Sequence, residues 1–375
     1  HWRTHKMTQT KVEAPFVENN VPFRNFCING DMKFNQRGSS SVTGLGAGGL
    51  HYLVDRTRTY SVTTAGRYTI SQETDVPSGL GFTNSLKMQC TTADTSIAAS
   101  ELTLIQHRME GQFLQSIAKG TSSAKQLTVS FYAKANEARV HSLEVKDEDN
   151  TRHCTKLFTT TTDWKRHVLT FPADTTGALD NDNAQSISLN FFMHAGSTYT
   201  DGTLQSGSFA SITNGNRAAG IGSIMASTDN NFFITGLQME LGDTATDFEF
   251  VPHDVQLRRC QRYFQLFNDG SYDNEGLMTA TLYTNSTAYG YIYLQTPMRA
   301  GPSLYEVTGT DYWVAYTNNS NNTFDDMGIN GDASNTFVCE IYVPSSGNLS
   351  LGSGGQSCFI RTHNAASRLG ADAEL

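Results

Sequence analysis

Charged side chains are scarce in this chain. Asp, Glu, Lys and Arg make up 17% of its 375 residues, against the roughly 25% usual in soluble domains. The polar surface must therefore come from Ser, Thr, Asn, Gln and Gly, as in all-β proteins with uncharged outer faces. Basic excess is also missing. A formal charge of −9 and a pI near 5.5 exclude non-specific nucleic-acid binding, which depends on neutralising phosphates. No apolar run approaches the ~18–20 residues that a helical membrane span needs, so no membrane insertion is expected. His1–Asn20 is polar without an apolar middle, and no signal peptide is expected there. Either Met7 is the true start, with His1–Lys6 foreign to it, or the chain is a fragment of a longer one.

Paired cysteine motifs are lacking too. The six cysteines are scattered, with no CxxC for zinc or redox work. Free, mostly buried thiols are expected, as in a protein assembled in a reducing cytoplasm. The ten histidines do not cluster at ligand spacing, and no GxSxG elbow occurs. Gly44, Gly46 and Gly49 formally make a GxGxxG, but no strand-then-helix context surrounds them; a flexible loop is expected. No cofactor is implied. Asp180 and Asp182 are the one candidate for a structural calcium, without the Gly and Glu of a hand-type loop.

What is present is strand alternation. In Gln126–Lys134, Leu127, Val129, Phe131 and Ala133 alternate with polar residues, the period of a half-buried strand. In Ser186–His194, Ile187, Leu189, Phe191 and Met193 form the inward set, and Phe192 and His194 fall in the outward one. A short strand is expected over Cys27–Phe34. In Asn231–Leu241, Phe233, Leu237, Met239 and Leu241 share a face. Many short strands with polar turns and no intervening helices predict an antiparallel sandwich, a jelly roll.

One helix signal interrupts this pattern. After Pro252, Asp254 offers a cap, and Leu257, Cys260 and Phe264 fall on one side at helical spacing. Arg258, Arg259 and Arg262 crowd the remainder. Beyond it strands resume, broken by the long polar stretch Asn318–Asn335, which reads as a loop. The division is an extended arm over 1–24, the jelly roll over 25–251, a helical connector over 252–268 and a smaller β-sandwich over 269–375. The connector reads as a joint or subunit contact through Leu257, Cys260 and Phe264.

Sugar recognition uses flat aromatic faces with amides and carboxylates on the hydroxyls. Tyr289, Tyr291 and Tyr293 alternate with Gly290, Ile292 and Leu294, which puts three tyrosines on one face, with Tyr312, Trp313 and Tyr316 in a nearby strand. Such a stripe fits either the neighbouring subunit of an oligomer or a glycan platform. Asp325 and Asp326 are the candidate pair of acids for glycoside cleavage, and adjacent loop residues rarely aim at one bond, so no catalysis is expected.

The segments NFCINGDMKFNQRG (Asn25–Gly38), HYLVDR (His51–Arg56), LIQHRMEG (Leu104–Gly111) and KQLTVSFYAKA (Lys125–Ala135) resemble the opening of a virion module found in tail fibres and other surface proteins of tailed bacteriophages, marine and cyanobacterial ones especially. NFFITGLQMELGDTATDFEFVPHDVQLRRCQRYFQ (Asn231–Gln265) resembles its close. TPMRAGPSLY (Thr296–Tyr305) and LGADAEL (Leu369–Leu375) are similar to the tail of such proteins. Thr57 departs from the Trp often found after the Asp-Arg pair. The resemblance implies a carbohydrate-binding-module-like jelly roll on a homotrimer at the virion surface, assembled in the cytoplasm of the infected bacterium. The arm would contact other virion proteins, and the ligand would be host-surface polysaccharide. It implies no catalytic residues. Head decoration is the alternative to a tail fibre, and a glycan depolymerase is the third reading.

Overall fold

Alternating apolar side chains can be buried on one face of a strand only if a second sheet covers them, and this chain solves that problem twice. The computed structural model describes residues 23–62, 64–345, 349 and 354–375. The expected arm over 1–24 lies outside them, apart from Phe23 and Arg24. In chain order the first body carries β1 (Ser41–Leu45), β2 (Gly49–Tyr52), β3 (Thr57–Val62), β4 (Arg67–Glu73) and β5 (Ser85–Thr92). There follow β6 (Leu102–Glu110), β7 (Leu127–Ala135), β8 (Val140–Asp147), β9 (Arg152–Thr159) and β10 (Lys165–Phe171). β11 (Gln185–Ala195), β12 (Ala210–Ser211) and β13 (Asn231–Leu241) complete it.

These strands form a six-stranded sheet, β1-β4-β5-β13-β7-β10, facing a seven-stranded one, β12-β9-β8-β11-β6-β3-β2. Every pairing is antiparallel. This is the jelly-roll sandwich. Its core holds the inward set of β7, Leu127, Val129, Phe131 and Ala133, against Ile187, Leu189, Phe191 and Met193 of β11. Phe131 meets Phe191 edge-on at 5.1 Å between centroids, the arrangement that ring quadrupoles favour.

Four sequence expectations fail here for identifiable reasons. Cys27–Phe34 is a run of turns, because Asn29 and Met32 sit at φ 60° and 56°. The Asn29 amide group also grips Phe34 through both its oxygen and its nitrogen. On β13 the inward residues are Phe232, Ile234, Leu237 and Met239, while Phe233 points outward and Leu241 is exposed. The register shifts between Thr235 and Gln238, where Gly236 takes φ +65° and leaves no room for a Cβ against Phe82; one extra residue reverses the alternation. Phe192 and His194 do face away from the core, yet both are buried, because the loops that follow β11 cover them. The glycine-rich stretch expected as a loop carries β1 and starts β2.

The connector helix is His253–Gln261, shorter than expected. Pro252 occupies the cap position without a side-chain bond, and Asp254 lies in the first turn, where a carboxylate suits the helix dipole. Phe264 has already entered a strand. The second body carries β14 (Phe264–Asn268), β15 (Gly276–Leu282), β16 (Ala288–Tyr293), β17 (Ser303–Val307) and β18 (Trp313–Thr317). β19 (Ser320–Phe324), β20 (Gly328–Ile329), β21 (Val338–Val343), β22 (Ser357–Thr362) and β23 (Arg368–Asp372) complete it. β19 and β20 lie in the stretch expected as a loop. A seven-stranded sheet, β19-β18-β22-β15-β16-β21-β20, packs on a three-stranded one, β14-β23-β17. Trp313, Phe324, Ile341 and Ile360 fill the space between them with Leu369 and Ala371.

The two bodies are tied together by buried charge. Arg56 is ion-paired with Glu374 and lies 3.4 Å from the Tyr263 ring centroid. Arg37 sits 3.9 Å over Phe264 and bonds Asp372 at 2.9 Å. Cys260 packs with Ile28, Phe34 and Tyr263, and Leu257 rests on that cluster. The residues expected as a joint or subunit contact are thus covered by this chain's own segments.

Candidate functional site

The outer face of the second body's seven-stranded sheet gathers most of the residues singled out from the sequence. β16 buries Ala288 and Gly290 and turns Tyr289, Tyr291 and Tyr293 outward, with Tyr291 52% and Tyr293 80% exposed. Pairing with β21 sets Tyr342 opposite Tyr289, Glu340 opposite Tyr291 and Val338 opposite Tyr293. The Tyr289 and Tyr342 rings stack at 5.7 Å and 24°, and Tyr283, just beyond β15, meets Tyr289 edge-on at 5.7 Å. Gly328 on β20 lies under the Tyr342 ring, where a Cβ would come within 2.5 Å of it.

Glu340 organises the polar side of this face. The Tyr291 hydroxyl donates to it at 2.5 Å, and Asn330 Nδ2 donates to its other oxygen at 2.6 Å. The carboxylate holds the Tyr291 proton in place, raising the phenol pKa above its ordinary value. Arg361 is the second charge on the face, 5.0 Å from the Tyr316 centroid. On the other side of β15, Phe359 is 61% exposed, aligned with Tyr316 on one side and Thr279 on the other. Ser357, Thr281, Tyr289 and Tyr342 form a neighbouring row, four strands wide. At ~4.8 Å between strands that row extends about 14 Å. Two shallow depressions open onto the face, one of about 600 Å³ lined by Thr281, Tyr283, Tyr289 and Glu340 and one of about 420 Å³ lined by Thr279, Tyr316, Ser357 and Phe359.

Two expected members do not belong to it. Trp313 points the other way and is fully buried in the core, its Nε1 donating to Thr308 Oγ1 at 3.0 Å. Strand parity decides this, since Tyr316 is outward on β18 and Trp313 is three residues away. Tyr312 precedes the strand and packs against the core. Conversely, sequence reasoning missed Tyr283, Tyr342 and Phe359. The alternation of Val338, Glu340 and Tyr342 was a signal for Tyr342; nothing local marked the other two.

A second concave feature lies on the first body, a groove of about 260 Å³ on the outer face of the sheet that holds β6, β8 and β11. Gln106 and Asn190 line it, in a cross-strand row that continues in direct register to Arg58 on one side and Glu144 on the other. Glu144 is fully buried and receives both Arg217 nitrogens at 2.8 Å, His153 Nδ1 at 2.9 Å and Asn190 Nδ2 at 2.8 Å. Bonding to Arg217 outweighs burial and pulls its pKa down to about 2. Gln106 donates to Asn190 at 2.7 Å and accepts from Arg58 Nε at 3.0 Å.

The proposed acids and metal ligands fare differently. Asp325 Oδ1 accepts from the Asp311 amide at 2.9 Å, and Asp326 Oδ1 is buried without a partner. Asp180 donates its amide to Asp149 and Asp182 accepts from the Ala184 amide, both at 2.9 Å. Among the described residues, the group of three acids and histidines that come within ligating distance of one another is Asp94, Glu101 and His194. They are already engaged with each other and with Thr64 and Ser223.

No protein-family model matches this chain, and no curated protein matches it. Solved structures do. The enzymatically active domain of tailspike protein 4 from bacteriophage CBA120 aligns at 12% identity over 59% of this chain and 22% of that one, with a TM-score of 0.29. The carbohydrate-binding module TmCBM61, solved with β-1,4-galactotriose, aligns at 12% identity over 58% of this chain and 99% of that one, with a TM-score of 0.29. The family 11 module from Clostridium thermocellum, with a mixed-linked tetrasaccharide, aligns at 15% identity over 53% and 98% of the chains, with a TM-score of 0.26. This chain thus spans about a fifth of the tailspike chain. Scores this low carry no argument about function, and the jelly roll rests on the strand pairing itself.

Proposed function

We propose that this protein is a surface protein of a tailed-bacteriophage virion, a tail fibre or receptor-binding adhesin that attaches the particle to host-surface glycans. The observation that carries the glycan reading is the outer face of the second body, where Tyr283, Tyr289, Tyr291, Tyr293 and Tyr342 surround a single held carboxylate, Glu340. Aromatic faces take the apolar side of a pyranose, and the carboxylate and neighbouring hydroxyls take its hydroxyl groups. The virion assignment is supported by the resemblance of the segments around Asn25–Gly38, Asn231–Gln265 and Leu369–Leu375. In this reading the arm over 1–24 attaches to other virion proteins and a homotrimer presents three copies of the face, which raises avidity. The trimer also supplies the competing occupant of that face, a neighbouring subunit. Adsorption of labelled protein to host cells, with free host polysaccharide as competitor, tests the adhesin; adsorption unaffected by the polysaccharide contradicts it. Labelling intact particles separates a tail fibre from the alternative, a head decoration.

The reading is of binding without catalysis. A depolymerase is the third reading, and release of reducing ends from host polysaccharide would establish it.

A further inference from the structure

We infer that the groove on the jelly roll is a second saccharide site, and that its ligand is an oligosaccharide carrying a carboxylate or sulfate received by Arg108. The inference rests on the glycan-binding reading and adds the charge of the ligand.

The register of the sheet sorts the groove into three parallel rows. Tyr60, Leu104 and Phe192 make an apolar row across β3, β6 and β11. Gln106 and Asn190 lie in the next, and Arg108, Ser188 and Lys146 in the one beyond. Alternate residues on a strand are ~6.8 Å apart, so the aromatic row and the cationic row are separated by about 14 Å. Tyr60 and Tyr199 rest on Leu102, Leu104 and Phe192 at one edge. That distance exceeds one sugar ring. A ring stacked on a tyrosine therefore meets Gln106 and Asn190, and the next ring reaches Arg108.

Charge pairing singles out Arg108. Arg217 is neutralised by Glu144, Lys146 by Glu148, and Arg58 is held by Gln106 and the Leu375 carbonyl. Among the described residues the Arg108 guanidinium has no hydrogen-bond acceptor, and its Nε is buried without one. A half-buried guanidinium left without an acceptor at the groove is poised for an incoming anion, which it can meet with two parallel N–H bonds. Burial and the adjacent Arg58 disfavour its charge and the Glu148 carboxylate, itself bonded to Lys146, offsets them only in part, a cost that a bound carboxylate or sulfate relieves. The amides beside it are held in fixed orientation by their neighbours, so the floor is formed before the ligand arrives.

Isothermal titration of the full chain tests this, using trigalacturonate, its methyl ester and a carrageenan tetrasaccharide, which carries sulfates. At least one anionic probe should bind, the ester should bind trigalacturonate's site about tenfold more weakly, and added salt should weaken the anionic probes. Arg108→Ala should lose about tenfold or more and Arg108→Lys part of that, while Tyr272→Ala, at an exposed tyrosine outside both sites, leaves the affinity unchanged. Because Arg108 has no partner to orphan, its removal should leave the denaturation midpoint in place, which separates lost binding from lost folding. Equal affinity for acid and ester, full affinity of Arg108→Ala, or no binding of either anionic probe overturns the inference. If neutral glycans still bind through the tyrosine face in those cases, the adhesin reading stands; if no glycan binds, both fall.

Discussion

Arg262, just past the connector helix, lays two guanidinium nitrogens against Glu110 at the end of β6, at 2.9 and 2.8 Å. The bond joins residues 152 positions apart and closes the junction that Arg56–Glu374 and Arg37–Asp372 close from the other side. Two bodies with separate cores are thereby tied together at several points.

Removing a member of a buried ion pair leaves the other charge unsolvated, which costs about 3–5 kcal/mol. Arg56 and Glu374 are 1% and 4% exposed at their side chains. Arg56→Ala should therefore destabilise the chain on that scale and split one unfolding transition into two, as read by chemical denaturation. Arg262→Ala should cost on the same scale, because the carboxylate it leaves, Glu110, is 0% exposed.

Strand parity on β18 and β16 makes a paired prediction. Trp313 fills the core, so Trp313→Ala should cost about 3–5 kcal/mol through the cavity it leaves. Tyr293, 80% exposed, should tolerate the same change with no shift in midpoint. A stable Trp313→Ala protein would mean that the sheet face is assigned backwards.

Glu306 makes the second body sensitive to pH. Its folded pKa is raised from 4.5 to about 7 by burial, so folding takes up a proton between those values. The contribution is fully present below the unfolded pKa and is lost as pH rises toward 7. The Glu306 contribution to stability should fall across that window, so Glu306→Gln should change the pH dependence of the unfolding midpoint relative to the unsubstituted chain. Burial lowers His141 to about 3 and His167 to about 4 in the first body, which works oppositely: the jelly roll gains stability as pH rises toward 6.5. A second body insensitive to Glu306→Gln would contradict the assignment.

All six cysteines are free and buried, as their scattered spacing led one to expect. Burial also pushes Cys154, Cys339 and Cys358 up to about 11, away from the reactive thiolate. The folded protein should leave Ellman's reagent unreacted over minutes, and denaturant should release six equivalents. Rapid labelling of the native chain would place a thiol at the surface.

Much of the architecture was legible because burial on one strand face writes a period of two into the residues. β7, β11 and β16 were readable that way, and so was the outward set of tyrosines. What hid the rest was non-local. The Gly236 bulge reverses parity within an otherwise regular strand, and a covering loop buries Phe192 and His194 without marking their own sequence. The row through the groove draws Arg58, Gln106, Asn190 and Glu144 from four strands, one residue each, and only the register brings them together. Leu104, Gln106 and Arg108 do alternate with Ile105, His107 and Met109, but a polar side of a strand is ordinarily solvated surface. The junction likewise joins Arg56 to Glu374 across 318 positions, beyond any periodicity.

The most direct test of the central claim is a glycan array probed with the purified chain beside a Tyr291→Ala/Tyr293→Ala variant that retains its fold. The chain should retain a defined set of host-type glycans, and the variant should lose the neutral ones. Identical binding by both proteins, or no glycan retained by either, would contradict the tyrosine face as a binding platform and leave it to a neighbouring subunit.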